Sequence, residues 1–124
     1  MMKNILYVML GGSVGAVLRY WVGLLCKHWH WTALPWGTFI VNIIGCFLLG
    51  LFMGLGEKYA HFSGSIYLML TVGLCGAFTT FSTFTADTFR LMDNGQWLVA
   101  IGYLVASIVI GFVLLYVGRL VGKL

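Results

Sequence analysis

Polar residues are rare in this chain, so each one set among apolar neighbours can be read for its chemistry. Asn42 is the one Asn or Gln in the interior of a long apolar run, and Thr38 lies one helical turn before it. A side-chain amide donates two hydrogen bonds, which suits an anion; it also serves to join two helices. The densest polar stretch is Gly73-Leu74-Cys75-Gly76-Ala77-Phe78-Thr79-Thr80-Phe81-Ser82-Thr83-Phe84-Thr85. Gly76 followed by Thr79-Thr80 predicts a helix that breaks. Broken backbone exposes carbonyls that hold a cation and N–H groups that favour an anion. The alternative is a continuous helix whose hydroxyls bond back to carbonyls one turn earlier. Phe78, Phe81 and Phe84 recur every third residue, interleaved with Ser82 and Thr83. Phenyl edges carry partial positive charge, so rings and hydroxyls together can line a path for a small anion, or simply pack. Tyr103, Ser107 and Gly111 share one helical face, where the hydroxyls either extend a polar track or bond neighbouring helices. Arg19 is the one charge well inside an apolar run, suited to drawing in an anion, snorkelling or capping a helix end.

Other chemistries lack their residues. Asp87 sits near the end of the third apolar run with Arg90 one turn on, which predicts an ion pair. No other run contains a carboxylate, whereas a proton-coupled exporter needs a buried one. Cys26, Cys46 and Cys75 show no metal or redox spacing and read as small apolar residues. His28, His30 and His61 fall in linkers, and no Ser-His-Asp set, phosphate loop or zinc motif occurs. The chain is not expected to be an enzyme.

The elements that position these groups follow from composition. Of 124 residues, 61% are hydrophobic and 8% charged, and the mean hydropathy is +1.01. Soluble domains carry about 25% charged residues. Seven basic and three acidic residues cannot cover a soluble surface, nor does this composition suit disorder. The net charge of +4 comes without a Lys/Arg cluster, so no nucleic acid is expected as a partner. The class is all-α integral membrane protein, and the lipid bilayer is its solvent. Stretches free of charge predict four transmembrane helices at roughly 4–26, 36–56, 64–89 and 96–120, forming a single domain over 1–124, with the third helix broken near its middle.

Lys27-His28-Trp29-His30-Trp31 reads as an interfacial anchor, and Pro35 opens the second helix. Glu57 to Gly64 and Met92 to Gln96 read as polar turns. The opening apolar run reaches spanning length without a small-residue cleavage site before Arg19, so it reads as a span and not a signal peptide. Lys3, Lys58, Arg119 and Lys123 fall on one side, and Lys27, Arg90 and edge-lying Arg19 on the other. So slight a bias fits either one topology with the termini inside or insertion in both directions. Four helices enclose no wide pore, which points to an oligomer. Gly11/Gly15, Gly12/Ala16, Gly50/Gly54, Ser107/Gly111 and Gly118/Gly122 all permit close helix approach.

Three motifs in order resemble the Fluc/CrcB family of small bacterial fluoride channels. They are Gly11-Gly12-Ser13-Val14-Gly15-Ala16 with Arg19-Tyr20, Gly37-Thr38-Phe39-Ile40-Val41-Asn42 with Gly45, and the third-span stretch from Gly73 to Phe84. The resemblance covers nearly the whole chain. It implies a dual-topology, antiparallel homodimer in the bacterial inner (plasma) membrane, with two fluoride pores. It implies a structural sodium ion (Na+) at the dimer centre, held by backbone carbonyls that match Gly76 and Thr79. The family's pore phenylalanines match Phe81 and Phe84, and its pore asparagine matches Asn42. Thr38, Ser82, Thr83, Tyr103 and Ser107 match positions at or near its polar track. Its first-helix arginine, which helps draw anions in, matches Arg19. Where members often carry Gly-Gly before the Thr pair, this chain has Gly76-Ala77-Phe78.

The resemblance and the residues agree physically. A pore for fluoride must replace a tight hydration shell with donors yet let the ion leave, which partial charges do better than a full one. The expected function is passive fluoride export giving fluoride resistance. Two other readings are a small dual-topology exporter, which would depend on Asp87, and a structural subunit, which would need partner chains.

Overall fold

The computed structural model describes residues 1–28, 34–62 and 64–124. Trp29, His30 and Trp31 of the expected interfacial anchor lie outside the described residues. Among the described residues six α-helices follow in order: α1 (Met2–Cys26), α2 (Trp36–Lys58), α3 (Gly64–Leu68), α4 (Gly76–Phe78), α5 (Phe81–Asp93) and α6 (Trp97–Gly122). A π-helical segment, Met69–Cys75, joins α3 to α4. Gly64 to Asp93 therefore forms one long bent span, and with α1, α2 and α6 makes four helices long and apolar enough to cross a membrane. Their ends fall within a few residues of the expected ones. The largest difference is the third span, which runs past 89 to Asp93.

The terminators are local. Pro35 precedes α2, where its missing N–H costs nothing. Gly95 closes α5 at φ +78°, a left-handed conformation that favours glycine, and lets Gln96 N–H bond the Leu91 carbonyl at 2.8 Å.

Small residues set the packing. The α2–α6 pair is the most extensive contact, and α1 lies against the π segment and α4. A Cβ on Gly50 or Gly54 would collide with the Leu115 or Arg119 carbonyl of α6, and one on Gly118 or Gly122 with the Phe47 or Leu51 carbonyl of α2. Gly11 and Gly15 face the Met69 and Leu74 carbonyls in the same way. These pairs bring helices of one chain together. At the ends of α2 and α6, Arg119 Nε and Nη2 each donate to a Glu57 carboxylate oxygen at 2.7 Å. Lys58 Nζ donates to the Leu124 carbonyl. Leu91, Ala100 and Tyr103 form a buried cluster with Leu34, Phe39, Phe84 and Met92 packed around it, so α5 is held against α6.

Candidate ion pathway

The third span is interrupted twice, and the two interruptions differ. Along Met69–Cys75 the backbone widens to π geometry where Gly73 meets Gly11, Gly12 and the Val8 carbonyl of α1. Such insertions are rare and concentrate at functional sites. After Phe78 the helix ends. Thr79 (φ −82°, ψ 158°) and Thr80 (φ −148°, ψ 120°) are both extended, and α5 restarts at Phe81. The break expected from Gly76 and Thr79-Thr80 is therefore present, at the threonines themselves.

Three side chains satisfy the broken backbone. Thr80 caps α5, its Oγ1 accepting from Thr83 N–H at 3.1 Å. Asn42 reaches from α2 and bonds both sides of the Thr80 peptide groups. Its Oδ1 accepts from Thr80 N–H at 2.8 Å, and its Nδ2 donates to the Thr80 carbonyl at 3.1 Å. Arg19 reaches from α1, and its Nε donates to the Ala77 carbonyl at 3.0 Å, capping the first half-helix. Gly45 makes room for this turn, since a Cβ there would collide with the Thr79 methyl.

These bonds leave other groups free. Thr80 N–H would bond the Gly76 carbonyl in a continuous helix, but Asn42 takes it. Thr83 N–H would bond the Thr79 carbonyl, but Thr80 Oγ1 takes it. The Gly76 and Thr79 carbonyls thus lose their helical donors. The second N–H of the Asn42 amide and the Phe81 and Ser82 N–H groups at the head of α5 are not consumed by these bonds.

Two cavities flank the break and share Thr80 in their walls. One, of about 380 Å³, is lined by Asn42, Thr79, Phe81, Phe84 and Ser107 among others, and Gly76 also borders it. The other, of about 550 Å³, is lined by Arg19, Lys27, Thr38, Thr83, Asp87 and Arg90 among others. The first is mostly apolar, with a few polar groups at the break. The second carries three cationic side chains against one carboxylate. Thr80, held by Asn42 in a polar junction, lines both.

The remaining candidate residues fall as follows. The Phe81 and Phe84 ring centroids lie 6.1 Å apart, and Phe84 leans on Tyr103 at 5.1 Å. Phe81 is 77% exposed on this chain. Tyr103 is buried outside both cavity walls, and its hydroxyl has no hydrogen-bond partner among the described residues. The Ser107 hydroxyl is buried without a partner among the described residues. Ser82 is exposed and borders neither cavity; its hydroxyl lies 3.4 Å from Thr80 Oγ1. Asp87 is buried and pairs with Arg90 at 3.3 Å through one oxygen, as expected, while the other oxygen has no partner among the described residues. Sequence reasoning left Thr80 out of the candidate site and did not foresee the π segment. A Thr three residues before Thr83 at the head of an aromatic-rich helix was the available capping signal for Thr80.

Four apolar spans, a third span broken at mid-length and a polar junction between two cavities define the class: a small polytopic helical membrane protein built around a discontinuous helix. Residues 6–119 match the family described as CrcB-like protein, Camphor Resistance (CrcB). The chain belongs to that family, as the motifs of the first, second and third spans implied. A protein of Chloroflexus aurantiacus named fluoride-specific ion channel FluC is 45% identical over 122 residues, covering 98% of this chain and 97% of its own. The protein of the same name from Allorhizobium ampelinum is 44% identical over 122 residues, with 98% of both chains covered. That from Flavobacterium psychrophilum is 39% identical over 122 residues, again with 98% of both covered. These relatives are named ion channels and not enzymes, and this chain is a multi-pass membrane protein of their kind.

Proposed function

We propose that this chain forms a fluoride-selective channel that lets cytoplasmic fluoride leave passively and so confers fluoride resistance. The observation that carries the reading is the Asn42–Thr80 junction at the helix break, with Phe81 and Phe84 beside it, in a chain whose relatives are named fluoride-specific channels. Fluoride binds its hydration water tightly, so a path must offer hydrogen-bond donors without a fixed full charge at the narrowest point. The spare Asn42 N–H, the Thr and Ser hydroxyls and the Phe edges are of that kind. Arg19, Lys27 and Arg90 line the wider cavity and raise the local anion concentration before the narrow part. An interior-negative potential then drives each exported anion by about 2.3 kcal/mol per 100 mV.

The active unit in this reading is an antiparallel homodimer with two pores. A sodium ion is proposed at the break, because the Gly76 and Thr79 carbonyls have lost their helical donors and both residues line one cavity. Among the described residues no group of three or more His, Cys, Asp or Glu side chains is placed to hold a metal ion. Bound there, the ion would supply a fixed positive charge beside the path. The chain's own part is to keep helical donors away from those carbonyls, which Asn42 and the Thr80 cap do by taking the Thr80 and Thr83 N–H groups.

The test is fluoride efflux from proteoliposomes, with a potassium ionophore to dissipate charge and chloride as the control. Rapid fluoride loss without chloride loss is expected from the purified chain alone. No flux from folded dimer in sodium would overturn the reading.

A further inference from the structure

Cys46 and Cys75 read as isolated apolar residues in the sequence, but the fold brings them to one place. Both line the 380 Å³ cavity, Cys46 from α2 and Cys75 from the π segment. Neither thiol is in a disulfide. Cys46 Sγ rests against Gly111 of α6, where an added Cβ would stand 3.3 Å away. The hydroxyls one turn either side of Cys75 are committed to backbone. Thr71 Oγ1 donates to the Tyr67 carbonyl at 2.7 Å, and Thr79 Oγ1 to the Cys75 carbonyl at 2.9 Å. Much of the remaining wall is apolar, with Leu49, Phe84 and Ile108 in it.

Two sulfurs from two helices in an apolar cavity match a soft cation that is content with two ligands, such as Hg2+, Ag+ or Cu+. Thiolates select such metals, whereas Mg2+ and Ca2+ demand several oxygens. We propose that Cys46 and Cys75 form a soft-metal site in the wall of this cavity, and that a metal bound there blocks fluoride passage. Each thiol gives its proton to water as its metal–sulfur bond forms, so Hg2+ releases two protons and no electron moves. The block follows from position. Cys46 adjoins Gly45, which packs on Thr79, and the Cys75 carbonyl accepts both the N–H and the hydroxyl of Thr79. A metal bridging the thiols therefore ties α2 to the turn at the break and occupies space beside Asn42 and Phe84. The block rests on reading the cavity as the fluoride path; the binding does not.

The probe is mercuric nitrate, added to the purified protein and to proteoliposomes. Mass spectrometry is expected to show one Hg2+ per chain, with Cys26 alone still open to N-ethylmaleimide. Fluoride efflux should fall about tenfold or more and recover with dithiothreitol. Cys26→Ser should retain the wild-type mercury response. Cys46→Ser and Cys75→Ser should each lose the block, measured against their own metal-free rates, with alanine replacing serine at a site where serine prevents folding. Consumption of Cys26 alongside the pair, or undiminished binding in Cys46→Ser, overturns the site. Mercury held by the pair with flux unchanged overturns the block. A chain that moves no fluoride without metal fails the channel reading instead, and the mercury stoichiometry still decides the thiol pair.

Discussion

At the scale of single residues, Asn42 does two things that mutagenesis can separate. It pairs the Thr80 N–H and carbonyl that the break would otherwise leave bare, and it keeps one amide N–H in reserve. Removing the amide in Asn42→Ala orphans two half-buried backbone groups, each at a cost of up to about 1–3 kcal/mol. A lower unfolding temperature in detergent and loss of fluoride efflux are expected together. Asn42→Asp keeps an acceptor for the Thr80 N–H but offers no donor to the Thr80 carbonyl, and it adds negative charge beside the path. Its fold should survive better than that of the alanine variant, while fluoride flux is still lost. Wild-type flux in Asn42→Asp would reduce Asn42 to a joint between helices. Phe81 offers the opposite separation. With 77% of its surface exposed on this chain, little packing depends on it. Phe81→Ile should therefore unfold near the wild-type temperature yet carry far less fluoride, a pair of readings that a packing role would not give.

At the scale of elements, glycine decides how closely the helices approach. A Cβ on Gly118 would drive into the Phe47 carbonyl, and backbone cannot step aside as a side chain can. Gly118→Ala should cost about 1–3 kcal/mol, as overpacking does elsewhere. Gly102 on the same helix has open space around its Cβ position, so Gly102→Ala should leave stability unchanged or slightly raised. Comparing the two melting temperatures tests the packing, because both substitutions add the same methyl group to α6. The spans themselves were legible in the sequence because charge is missing from them, and the break because Gly76 and Thr79-Thr80 stand together in the third. The π segment was not. Its geometry accompanies Gly73 meeting Gly11 and Gly12 across two helices, and no local periodicity encodes that. The partners of Arg19 and Asn42 were equally hidden. Arg19 finds Ala77 58 positions away, and Asn42 finds Thr80 38 positions away. Residue type narrowed each to a short menu of roles, and only the packing of α1 and α2 on the third span chose among them.

At the scale of the whole molecule, the outer surface decides what the chain must do next. Phe81 beside the break and the mouth of the smaller cavity are both open on the single chain. A polar junction cannot face hydrocarbon without cost, and a second copy laid over it, as proposed above, would relieve that cost. The charges favour one orientation only slightly: Lys3, Lys58, Arg119 and Lys123 oppose Lys27 and Arg90. The basic residues differ by two between the ends, or by one with edge-lying Arg19 counted, a bias slight enough to permit insertion both ways. Antiparallel pairing would use both orientations and cover the same face on each copy. Two variants test this, one with lysines added beside the termini and one with lysines added to the α2–α3 turn's opposite end, near Asn94. Each biased variant expressed alone should insert one way and carry little fluoride. Co-expressed, the two should restore efflux, because each supplies the orientation the other lacks. Full flux from either variant alone, with its orientation verified by labelling, would mean that parallel copies or a single chain suffice.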